Sequence, residues 1–159
     1  MNSRTLAAKV LVAVIHDRQS LSQALPQIVG RDAQDSALIK ELCFGVCRWY
    51  QRLQLLTGKM LERPLKARDT DIQALLMLGF YQILYTRVPA HAAIHETVQA
   101  SKELNKRWAS GMLNGVLRRF GREREQILAE LPEPEPRAWF VTLSDARGVT
   151  VSTECVGCR

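Results

Sequence analysis

The chain has 159 residues and a formal net charge of +6, with 47% hydrophobic and 24% charged side chains. That composition matches a soluble globular domain and excludes wholesale disorder, and the length supports one core without disulfides or metals to hold it. The longest unbroken apolar stretch, Ala74 to Tyr81, is eight residues, far short of the roughly 20 a membrane helix needs, and Val10 to Ile15 is too short for the core of a signal peptide, so the expectation is a cytoplasmic protein without a membrane partner.

Up to about Leu131 the periodicity is helical. Ser3 can cap a first helix whose apolar side is Leu6, Val10, Ala13 and Val14. A short second element, Leu21 to Val29, is expected to be broken by Pro26 and stopped by Gly30. Asp35 or Ser36 can cap a long helix bearing Leu38, Leu42, Val46, Trp49, Leu53 and Leu56. Asp69 or Thr70 opens another helix with Ile72, Leu76, Phe80 and Ile83 inward, and helical spacing resumes after Pro89 through Ile94 and Val98. The stretch Trp108 to Phe120 follows, then a last amphipathic segment to Leu131. No segment before residue 139 alternates with period two, which predicts an all-α bundle of six or seven helices over residues 1–131.

Residues 132–159 form a second region. Pro132-Glu133-Pro134-Glu135-Pro136 cannot be helical, because each proline also pushes its predecessor out of the α region. The expectation is a proline-rich linker and an irregular tail, with enough chain after it for one hairpin and no independent domain.

Charge follows the same division: residues 132–159 carry a net −1 and the first 131 residues +7. A basic domain is a candidate polyanion binder, since cations near phosphates release condensed counterions. Arg48 and Arg52 lie four apart beside the long helix's apolar stripe. Lys102, Lys106, Arg107, Arg118, Arg119, Arg122 and Arg124 crowd the last helices, with Trp108 among them as a stacking surface. The plainer reading is a solvated face partly neutralised by Glu103, Glu123 and Glu125. Without a groove-reading motif, the pattern favours RNA backbone or shape recognition, carried by Arg48, Arg52, Lys102, Lys106, Arg107, Arg118, Arg119 and Arg122.

Other chemistry is weaker. Cys43 and Cys47 read as two small buried hydrophobes on a helix face, and Cys155 with Cys158 as an incidental pair, so neither makes a zinc site. His91 and His95 share a helix face, but Glu96 follows the second histidine, whereas a zincin base lies between the two. Their plain reading is that of helix-start histidines helping to cap or shield the first turn. No glycine loop cradles a phosphate; Gly115 is expected to let a neighbouring helix approach closely. No catalytic centre is visible.

Three stretches point to a family. Glu41-Leu42-Cys43-Phe44-Gly45-Val46-Cys47-Arg48 resembles the E-L-x-x-G-V-x-R segment of the NusB-like family of helical RNA-binding domains. The run from Leu78 through Tyr85-Thr86-Arg87-Val88-Pro89 to Val98 is similar to that family's central helices, and Leu113-Asn114-Gly115-Val116-Leu117 to its N-G-V-L signature. The resemblance covers roughly residues 4–131. Arg118 after that signature, and the Y-Q-x-L-Y-T-R-x-P run, resemble the branch formed by the N-terminal domains of RsmB-type 16S rRNA cytosine-C5 methyltransferases.

That resemblance implies an rRNA-recognition domain with 16S rRNA as partner, without the catalytic half. The whole enzymes use S-adenosylmethionine; for this chain the expectation is no cofactor, no metal and no catalysis. The alternative branch implies a free-standing antitermination factor that binds boxA RNA with a ribosomal protein. Departures from the methyltransferase pattern are specific. The glycine-rich cofactor loop is missing, and Cys155 and Cys158 follow Glu154 and Gly157 where the catalytic cysteines follow proline or threonine. Gln54 stands where the family usually has Asp, and the tail after Leu131 does not resemble the linker to a catalytic domain. A truncated gene with a frameshift near the proline run would account for this, a hypothesis that the other two reading frames of the coding DNA test.

Overall fold

Among the described residues, seven α-helices follow one another: α1 Ser3–Ile15, α2 Leu21–Val29, α3 Ser36–Arg48, α4 Tyr50–Met60, α5 Thr70–Tyr85, α6 Ala90–Glu103 and α7 Ala109–Ala129, with a 3-10 turn at Ala67–Asp69 before α5. The computed structural model describes residues 1–30 and 35–132, and beyond them the backbone of two strands, β1 (Val141–Ser144) and β2 (Thr150–Thr153). The expected helical bundle is present, at the upper end of the expected helix number.

α5 is the axis of the bundle. Every residue from Ala74 to Ile83 is buried, and α5 packs against α1, α3, α4, α6 and α7. A helix apolar on all sides belongs in the middle of a core, not on its surface. The stripe read from the sequence is therefore only part of what α5 buries. Gln82 is the polar exception, fully buried, and its bonds are satisfied. Its amide nitrogen donates to the Leu78 carbonyl at 3.0 Å, and its amide oxygen accepts from Arg4 Nε at 3.0 Å. Phe80 meets Phe120 of α7 edge to face, with ring centroids 5.0 Å apart.

Close helix approach is set by Gly45 and Gly79. A Cβ on Gly79 would stand 2.6 Å from Leu117 Cδ2, and one on Gly45 would overlap the phenol of Tyr81. Gly115 does not play this part, because it is exposed with nothing within 4 Å of where its Cβ would be. The sequence position was right for a helix but did not reveal which side of α7 faces outward.

Several helix ends differ from the expectation. Asn2, not Ser3, caps α1: its side-chain oxygen accepts from the Arg4 N–H at 2.9 Å. Ser3 instead donates to Asp35 Oδ2 at 2.7 Å, and Asp35 makes no cap bond to α3. Pro26 does not break α2, which runs on to Val29 and ends at Gly30 with φ +74°. A proline in a nine-residue helix forfeits one backbone bond, and here its ring faces solvent.

The long helix expected through Leu56 is in fact two. Trp49, at φ −101° and ψ 17°, separates α3 from α4. Its indole stacks on Tyr85, with ring centroids 4.6 Å apart and planes within 8°. One non-helical residue leaves the apolar spacing almost in register, so periodicity alone could not detect the break. α7 consists of two helical runs that meet at a kink at Glu123, with φ −106° and ψ 18°, in keeping with the two segments read from the sequence. In the tail, read as irregular with room for one hairpin, β1 and β2 pair antiparallel, with Val141 opposite Thr153 and Ser144 opposite Thr150. The β-branched content of both runs suits an extended ribbon.

The N-terminus is tied to α6. Glu103 accepts from Thr5 Oγ1 at 2.6 Å and from the Asn2 backbone N–H at 2.9 Å. Chiefly through the Thr5 bond, against a smaller effect of burial, its carboxyl is held below the usual glutamate range. A depressed carboxyl contributes stability that is full above its unfolded value and lost as pH falls through the folded one. Acidification below about pH 4 is therefore expected to release the first turn of α1. The measurement is an NMR pH titration of Thr5, and in Glu103→Gln the acid-linked shift should disappear.

Candidate nucleic-acid interface

α7 carries a row of arginines. Leu113, Leu117 and Phe120 are buried, so the helical repeat turns Arg118, Arg119 and Arg122 to solvent, where all three are exposed. Arg118 Nε donates to Asn114 Oδ1 at 3.0 Å, which orients its guanidinium. Arg119 Nε pairs with Glu123 at 2.9 Å, one turn on, an exposed pair that water and salt screen readily.

Two grooves flank this ridge. The larger, about 710 Å³, has an apolar floor that includes Met60, Leu65, Met112 and Val116, and Trp108 stands over it 59% exposed. Arg63, Lys66, Arg68 and Arg119 also line it. An open indole beside cations is the kind of surface on which an unpaired base stacks. The smaller groove, about 480 Å³, lies between α6 and α7 and is lined by His91, His95, Asn114, Arg118 and Arg122 among others.

The remaining sequence candidates divide into three groups. Lys102, in the last turn of α6, and Arg107, just before α7, are exposed near the ridge in sequence. Arg48 and Arg52 sit instead at the break between α3 and α4. Arg48 lies over the Trp49 ring at 5.7 Å, and Arg52 Nη1 donates to the Pro132 carbonyl at 3.3 Å. Burial pushes the Tyr85 phenol up, while the charge and hydrogen bond of Arg52 oppose that shift.

Lys106 is occupied internally. Its ammonium donates to the Arg68 carbonyl at 2.8 Å, to Asp69 at 2.8 Å and to Asp71 at 2.9 Å, which uses all three N–H bonds. Burial works against its charge, but the two carboxylates outweigh it and hold the lysine above its usual range. It braces the start of α7 against that of α5.

The sequence reading missed Arg63, Lys66 and Arg68, which three cations in six positions around Pro64 could have flagged. It also gave the histidines a capping role they lack. Pro89 precedes α6 and no side-chain bond caps it; both imidazoles are exposed and line the smaller groove. Cys43 and Cys47 are buried in the core as expected, and burial pushes the Cys43 thiol well up, which keeps it protonated and unreactive. Cys155 and Cys158 lie outside the described residues. No helix among the described residues is long and apolar enough to cross a membrane.

The family model described as the NusB family matches residues 1–122. A Pseudomonas putida protein named ribosomal RNA small subunit methyltransferase B is 51% identical over 130 residues, covering 81% of this chain and 30% of that protein. Proteins of the same name from Klebsiella pneumoniae and Salmonella arizonae are each 42% identical, over 138 and 145 residues, covering 86% and 88% of this chain. The chain spans about a third of the length of these relatives, between 30% and 34%.

Proposed function

Because the chain belongs to the NusB family, we propose that its helical domain, residues 1–131, binds RNA as the recognition part of a small-subunit rRNA cytosine-C5 methyltransferase, in the cytoplasm. The observation that carries this reading is the likeness, at 42–51% identity, to proteins named as rRNA methyltransferases over only a third of their length. The exposed arginine ridge of α7 and the open Trp108 indole supply the chemistry. Arginines contact phosphates and fix position without reading sequence, and the indole accepts an unpaired base.

Chemistry on the base is assigned to a separate domain that uses S-adenosylmethionine and takes the cytosine out of its stack. The 159 residues alone are expected neither to bind that cofactor nor to transfer a methyl group, and radiolabel transfer to 16S rRNA by the purified chain would overturn this. The RNA itself is tested by fluorescence anisotropy with a labelled 16S hairpin, a boxA RNA and a scrambled RNA across salt concentrations. The expected order places the 16S hairpin first. Replacing Arg118, Arg119 and Arg122 by alanine should reduce the log–log salt slope by about 2, as three lost phosphate contacts require. Preference for boxA would transfer the reading to antitermination with a ribosomal protein, and equal absence of binding would remove RNA altogether.

A further inference from the structure

The smaller groove has a composition that the ridge alone does not explain. His91 and His95, one turn apart on α6, line it together with Arg118 and Arg122, one turn apart on α7. Ile94 and Val98 also line it. No carboxylate is among its lining residues. Glu96, next to His95, accepts from Asn2 Nδ2 at 2.8 Å instead, and Glu123, next to Arg122, accepts from Arg119 Nε at 2.9 Å. Among the described residues, neither imidazole nor the Arg122 guanidinium has a hydrogen-bond or ion-pair partner.

Two ligand classes could use a histidine pair. A metal cation would find two nitrogen ligands, no third among the groove's side chains, and two guanidinium charges against it. An anion would find N–H donors from both helices, with Arg118 already oriented by Asn114. We propose that the cleft between α6 and α7 is a phosphate-binding groove in which His91 and His95 act with Arg118 and Arg122 to hold a phosphodiester of the bound RNA. This rests on the RNA-binding reading above and adds the histidines to it.

Histidines in an anion site would make its occupancy depend on pH. Histidine is the side chain whose charge changes between pH 5 and 8. The fixed charges lining the groove beside the imidazoles are Arg118 and Arg122 from α7. An anion held among them would favour the protonated imidazoles, because it places an opposite charge beside them. Linkage then makes RNA bind more tightly as pH falls.

The chain has three histidines, which makes the test direct. His16 lies just past the end of α1, exposed and outside the groove, and serves as an internal control. Imidazole NMR signals would be followed across pH 5.5–8.5, free, with the 16S hairpin, and with inorganic tripolyphosphate. RNA is expected to move the His91 and His95 signals and raise their midpoints while His16 stays put. RNA affinity should fall about tenfold from pH 6 to pH 8, and His91→Gln with His95→Gln should flatten that dependence with helix content unchanged. RNA binding with unmoved His91 and His95 would overturn the groove and leave the RNA reading standing. Response to tripolyphosphate without RNA binding would support the groove and overturn the RNA reading. Response to neither would overturn both.

Discussion

Gly45→Ala should lower the thermal midpoint by about 5–10 °C, the equivalent of roughly 2–3 kcal/mol for a domain of this size. In an open helix the same change would help, because alanine is the better helix former by about 1 kcal/mol. Here the new methyl would occupy the space of the Tyr81 ring. Tyr81 is itself 8% exposed and held beside Tyr85, with ring centroids 5.7 Å apart, so it has little room to retreat. The clash decides the sign. Gly45→Val should prevent folding outright. In a Tyr81→Ala background, itself destabilised by the lost ring, Gly45→Ala should cost little, because the space the methyl needs is then vacant. Thermal unfolding of the two single variants and the double variant measures this coupling. Strictly additive effects would show that α3 and α5 do not meet as described.

The second large effect is expected at Lys106. Replacing it by methionine leaves Asp69, with 8% of its side chain accessible, without a counter-charge. Breaking a buried ion pair on one side costs about 3–5 kcal/mol, and the partial exposure of the lysine brings the expected loss to the lower end. Asp69→Asn in the same chain should recover part of it by removing the stranded charge. The sign with pH follows from the raised lysine: its contribution is complete below the ordinary lysine value and is lost as pH rises through the folded one. Stability should therefore fall on alkaline titration above about pH 10, and the Lys106→Met variant should lack that fall. Its salt dependence of RNA binding should match that of the unaltered chain, which separates a structural lysine from a phosphate contact.

Lys106 also shows how far the sequence could be read. Its position among cations suggested RNA contact, and only the folded chain reveals that Asp69 and Asp71, some thirty-five residues earlier, claim its donors. Residue type and spacing gave the helices, because burial repeats with the helical period and that period is local. Whatever depends on a distant partner was hidden. Ser3 is a good cap by type, yet Asp35 takes its hydroxyl. Gly115 sits in a family signature, while the glycines that admit neighbours are Gly45 and Gly79. Trp49 ends one helix and starts the next without disturbing the stripe. The α7 arginines were legible because an exposed face needs only the helix's own phase. The histidines entered the picture once α6 and α7 lay side by side.

The position of α5 has a bearing on how this domain comes apart. Its surroundings are contributed by α1 from one end of the domain and α7 from the other, as well as by three helices between them. No contiguous fragment that omits either end can shield it. The bundle is therefore expected to unfold as a single cooperative unit, since loss of any one wall exposes the same apolar rod. On the proposed assignment, exchanges on the α7 ridge would change what is bound without approaching that rod, so recognition and integrity would be free to vary separately.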